Sequence, residues 1–171
     1  MRPTLLNSCA RAATAAEARF RISYPEPAVR SSLVIALDEG AAAFVRGLAA
    51  RRWHGGHFLV FDHLVASGQQ SVPDDAVLRD TGGAGVLLSA ELDEADVVVM
   101  IAACADSAGA ASVIGDACGL RGVMTAGLVL DEAAEPDGAR DVVAALRPNA
   151  MVLVVPKNRD DIPEILTALR V

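Results

Sequence analysis

The run Asp96-Val97-Val98-Val99-Met100-Ile101-Ala102, followed by a small-residue stretch at 107–118 that reads as a helix and a second apolar run at 123–130, decides the fold. Apolar residues without polar alternation mark a strand buried on both faces, and such burial belongs to parallel sheets covered by helices. The same grammar continues on either side. Upstream, SLVIAL at 32–37 reads as a strand, 40–52 has helical spacing, and HFLVF at 57–61 reads as the next strand. Downstream, a helix at 138–146, a strand at 151–155 and a helix at 160–169 complete the series. Strand and helix alternate, which predicts a three-layer, doubly wound α/β fold of Rossmann-like type with a mainly parallel sheet. A polar segment and the cluster Thr81-Gly82-Gly83-Ala84-Gly85 separate the second strand from the central one.

Composition agrees with a single domain. The chain has 171 residues, 53% of them hydrophobic, and a mean hydropathy of +0.37. No apolar stretch reaches the roughly 20 residues of a membrane-spanning helix, so no membrane partner is expected. With 22 acidic against 15 basic residues and a net charge of -7, the surface repels a phosphate backbone, which argues against nucleic acid. Three cysteines, Cys9, Cys104 and Cys118, have neither the number of a disulfide framework nor the spacing of a zinc site, and a cytoplasmic location is expected. Residues 1–31 read as an N-terminal extension, with a peripheral helix at 10–20 before the Tyr24-Pro25-Glu26-Pro27 turn, and 32–171 as the α/β domain. Arginine-rich and acid-poor, the first 20 residues also have the look of an organellar transit peptide.

In doubly wound sheets ligands bind outside the carboxyl ends of the strands. The residues there are Asp38, Glu39 and Gly40 after the first strand, and Asp62 and His63 after the second. Cys104, Asp106, Ser107 and Gly109 follow the central strand, Asp131 and Glu132 the next, and Lys157 and Asn158 the last. That edge is acidic.

The stretch from Ala110-Ala111-Ser112-Val113-Ile114-Gly115-Asp116 to Gly122-Val123-Met124-Thr125-Ala126-Gly127-Leu128-Val129 resembles the helix and strand after the phosphate loop of the tubulin/FtsZ superfamily. Ala95 to Ile101 is similar to the family's strand leading into that loop, and 81–85 to its upstream glycine loop. Asp137-Gly138-Ala139-Arg140 and Leu153-Val154-Val155-Pro156-Lys157-Asn158 resemble later family segments. The resemblance implies a nucleotide-binding domain with Gly82, Gly83, Gly85, Ser107 and Gly109 near the ligand. Where the family has G-G-G-T-G-T-G, however, this chain has Cys104-Ala105-Asp106-Ser107-Ala108-Gly109, which is shorter and carries one glycine. Side chains there narrow the approach to backbone N–H groups, and Asp106, with Asp38 and Glu39, adds negative charge. These departures predict no ordinary GTPase activity.

Other readings compete at each position. Ser107 and Asp106 suit helix N-caps as well as anion binding. Asp62, about 22 residues past Gly40, has the spacing of a ribose-binding carboxylate. Asp38, Asp62, His63 and Asp106 could converge on a divalent cation, and His54-Gly55-Gly56-His57 could be a metal pair or a turn with surface histidines. Cys104 is either a thiolate favoured at a helix start or a small buried hydrophobe. No catalytic residues or cofactor are specified. Two functions follow: binding of a small, anionic or nucleotide-like ligand at the crevice, which the reading favours, or a non-catalytic assembly or protein-interaction module. Homo-oligomerisation is expected in either case, because Ala-rich helices permit close packing.

Overall fold

A computed structural model of the chain describes residues 30–64, 76–130, 136–169 and 171. The expected helix at 10–20, the turn at 24–27 and the strand-end pair Asp131 and Glu132 lie outside the described residues.

Two strands without polar alternation form the centre. β1 (Ser32–Ala36) and β5 (Val97–Ala102) are buried along their whole length and pair in parallel, Ser32 beside Val97 and Ala36 beside Ile101. β2 (Gly56–Leu64) adds in parallel to the free side of β1. β6 (Met124–Val129) and β7 (Val152–Val154) extend the sheet beyond β5, also in parallel. β3 (Ala76–Asp80) and β4 (Gly85–Leu87) form a hairpin, and β3 runs antiparallel to β2. The order among the described residues is β4-β3-β2-β1-β5-β6-β7. The parallel α/β class is as the sequence implies. The correction is on the β2 side, where the segment taken as polar and glycine-rich supplies two antiparallel strands.

Helices cover both faces. On one face, α1 (Glu39–Ala49) buries Ala41, Ala42, Val45 and Leu48, an i, i+4, i+7 stripe that seats on Val34, Ala36, Val99 and Ile101. α5 (Ile162–Ala168) joins it there through Ile162 and Leu166. On the other face lie α2 (Leu88–Leu92), α3 (Ala108–Arg121) and α4 (Pro136–Leu146), over Leu33, Ile35, Val98 and Met100. The small residues Ala110, Ala111 and Ala117 let α3 lie close to the sheet. α3 ends at Gly122, whose φ of 70° is the left-handed conformation glycine tolerates; the next N–H, from Val123, returns to the Cys118 carbonyl at 3.0 Å. No helix among the described residues is long and apolar enough to cross a membrane.

Candidate functional site

The chain leaves β1 towards β2 on one side and returns to β5 on the other, so the strand order reverses between β1 and β5. The gap beyond their carboxyl ends is the topological switch point, where doubly wound folds open a crevice. Here Asp38 fills that position. One carboxylate oxygen, Oδ1, accepts the Ala41 N–H at 2.9 Å and caps α1. The other, Oδ2, accepts the N–H groups of Ala103 at 2.8 Å and Cys104 at 3.2 Å, immediately after β5. Three backbone donors from two loops thus converge on one side chain of the chain itself.

The loop after β5 is equally closed on itself. Cys104 is extended, residues 105–107 form one 3₁₀ turn, and that turn runs directly into α3. Ser107 is expected to cap the helix or hold an anion, and its side chain does not cap the helix. Its backbone is already helical, its side chain is 2% exposed, and its hydroxyl donates to the Cys104 carbonyl at 2.7 Å. The first turn of α3 therefore has no side-chain cap from Ser107. Asp106 is exposed and directs its backbone N–H to the Cys104 thiol. Gly40 and Gly109 are exposed in the first turns of α1 and α3.

The electrostatics reverse one expectation. A thiol at a helix start favours the thiolate only if the local charge is positive. The Cys104 thiol is instead pushed up, by desolvation first and then by the negative charge of Asp38 and Asp106. Nor is Cys104 a buried hydrophobe, since it is exposed. Cys118 fills that role inside α3, and burial pushes its thiol up to about 12.

The remaining expected site residues lie elsewhere. β2 continues past 61, so Asp62 is within the strand, at the bulge between Phe61 and His63. Its carboxylate meets Arg79 of β3 at 2.7 Å and raises the pKa of that guanidinium, chiefly by the hydrogen bond. The His63 side chain lies outside the described residues. Gly82 and Gly83 belong to the β3–β4 hairpin turn, and Gly85 opens β4. Because β3 is antiparallel to β2, with Asp80 beside Leu59 and Ala76 beside Leu64, that turn points to the amino ends of the parallel strands. It lies at the opposite end of the sheet from Asp38. Gly83 has φ of 87°, and Asp80 organises the turn by accepting the Ala84 N–H at 2.8 Å on its side chain. His57 Nδ1 is engaged by Glu91 of α2 at 2.6 Å. No group of three His, Cys, Asp or Glu among the described residues is placed to hold a metal ion.

The structure thus brings Asp38, Gly40, Asp106, Ser107 and Gly109 to one place and leaves Asp62 and the three hairpin glycines outside it. The clamp from Asp38 to the β5 loop is the feature that sequence reading missed. Half of its signal is visible, an aspartate three residues before Ala41 at the start of an apolar-striped helix. The other half spans 65 residues and has no local signature. No family model matches the chain, and no curated protein matches it.

Proposed function

We propose that the chain is a non-catalytic assembly or protein-interaction module on a nucleotide-type α/β scaffold, with the switch-point crevice closed from within. The observation that carries this is Asp38: its carboxylate already accepts the N–H groups of Ala41, Ala103 and Cys104, the donors at the end of β1 and β5 that an anionic ligand would need. A phosphate would have to displace a side chain tethered at no translational cost, and would meet Asp106 as it entered. The buried Ser107, turned back on its own loop, supports the same reading. So does the exposed apolar surface near the amino ends of β6 and β7, where Leu120 is 74% and Met151 75% exposed. A tubulin/FtsZ-like ancestry remains part of the proposal, supported by the order of segments from Ala95 onward and by the parallel β1-β5-β6-β7 half-sheet.

Thermal denaturation with GTP, GDP, ATP, inorganic phosphate, coenzyme A and Mg²⁺, each at millimolar concentration, tests the proposal. A ligand at a hundred times its Kd stabilises by about 2.7 kcal/mol, which raises the Tm of a domain this size by roughly 5–11 °C. The expected result is no shift above about 1 °C on that scale. A rise of several degrees with any of these compounds restores the small-ligand reading and overturns this one.

A further inference from the structure

We infer that a hollow at the amino end of β6 receives an arginine side chain from a partner protein. The inference rests on reading the chain as an interaction module and names the chemistry that such a partner presents.

The hollow lies between α3, the 3₁₀ turn at Arg147–Asn149 and the first residues of β6, and its volume is about 250 Å³. Pockets for drug-sized ligands run from roughly 300 to 1,000 Å³, so this one suits a single side chain better than a nucleotide. Glycine makes the room. A Cβ at Gly119 would meet nothing within 4 Å, and a Cβ at Gly115 would stand 2.8 Å from Oδ1 of Asn149, so the Asn149 amide lies against bare helix backbone. The floor is Thr125, 7% exposed, whose hydroxyl accepts the Met151 N–H at 3.2 Å. The rim is apolar: Met151 is 75% exposed, and Leu120, next to Gly119, is 74% exposed. A walled pocket with a few polar groups and an apolar rim is the form that interaction hot spots take.

The charge in the hollow is negative. Asp116 lines it, and neither its carboxylate nor the Asn149 amide has an ion-pair or side-chain hydrogen-bond partner among the described residues. The cations nearest to these two groups in sequence are turned elsewhere. Arg121 reaches Asp93 at 3.6 Å, and Arg147 lines a separate hollow on α4 with Arg140 and Val143. Gly119 also belongs to the last turn of α3, where the carbonyl end of the helix favours a cation. A guanidinium offers planar, paired donors to the Asp116 carboxylate and a further donor to the Asn149 oxygen, while its methylene stem can lie along Met151.

Amide NMR spectra of the full chain, titrated with acetyl-Ala-Leu-Arg-Leu-Ala-amide and with the same peptide carrying citrulline, the uncharged isostere of arginine, test this. The arginine peptide is expected to bind saturably, to shift the amides of Gly115, Asp116, Gly119 and Met151, and to bind at least about fivefold more tightly than the citrulline peptide. Asp116→Asn, an exposed change, should weaken binding by at least about the same factor. Gly119→Leu fills the hollow while raising helix propensity, and should abolish binding. Absence of saturable binding, equal affinity for the two peptides, shifts centred on other residues, or unchanged affinity in either variant overturns the inference. So does acetyl-arginine-amide binding as tightly as the peptide, because the hollow would then be a site for a small guanidine. Sedimentation showing a wild-type dimer that Asp116→Asn dissociates also overturns it, because a second copy would then be the occupant. None of these failures touches the nucleotide test, so the two proposals fall separately.

Discussion

Replacing Asp38 by alanine removes one acceptor from three donors, and its cost follows from the geometry. The cap on Ala41 is worth about 1 kcal/mol, within the usual range of about 0.5–2 for an N-cap. The bonds to Ala103 and Cys104 are charge-assisted, a class worth about 1.5–3 kcal/mol each when fully buried. Cys104 is exposed, so water takes over much of its share, and the pair contributes about 1–3 kcal/mol together. Asp38→Ala should therefore destabilise by about 2–4 kcal/mol in urea denaturation followed by circular dichroism. Asp38→Asn separates the two halves. Asparagine caps a helix as well as aspartate, but it turns an NH₂ group towards the Ala103 and Cys104 donors. It should retain the cap, lose the clamp and cost about 1–3 kcal/mol. If alanine falls within about 0.5 kcal/mol of wild type, the effect is that of an ordinary surface substitution, and the carboxylate does not hold the two loops together.

Three further predictions come from α3 and its loop. In a Cys9→Ser background, Cys104 should react with iodoacetamide more slowly at pH 7.5 than an unperturbed thiol. Asp106→Asn should accelerate that reaction, because it removes a negative charge and keeps the backbone N–H to the sulfur; an unchanged pH–rate profile would refute the electrostatic cause. Cys118 should stay unmodified until the protein unfolds, as mass spectrometry of the alkylated chain would show. Gly119→Ala places its methyl in open space and should stabilise α3 by roughly 0.5–1 kcal/mol, the ordinary helix-interior gain. Gly115→Ala sets a Cβ 2.7 Å from the Asn149 Cβ, and an overpacking cost of about 1–3 kcal/mol should exceed that gain; urea midpoints moving the same way in both variants would contradict the packing.

The parallel half of the fold is legible because its signal is local. Val97 to Ile101 and Leu33 to Ile35 are apolar without alternation, and the stripe Ala41, Ala42, Val45, Leu48 has helical period. The β3–β4 hairpin is not legible in the same way. β3 is five residues with Arg79 and Asp80 at its end, β4 is three, and the glycines between them match a phosphate loop as readily as a turn. Only the antiparallel pairing with β2 decides the matter, and it also carries those glycines to the far end of the sheet. At the crevice, the acidic strand ends were readable as charge. That Asp38 is consumed by contacts at both loops depends on β1 and β5 lying side by side, which no spacing in the sequence encodes.

A second carboxylate ties the opposite end of this strand pair: Asp96, just before β5, accepts the Ser31 N–H at 3.1 Å. Both ties span 65 residues, so neither can form until that length of chain has closed. Closing it costs roughly 4 kcal/mol in chain entropy on the (3/2)RT ln n scaling. After that, β6 and β7 each need only a shorter crossover to reach a strand already in place. The pairing of β1 with β5 therefore carries the largest closure cost between neighbouring strands of the sheet, and the two aspartates latch that pairing at both ends.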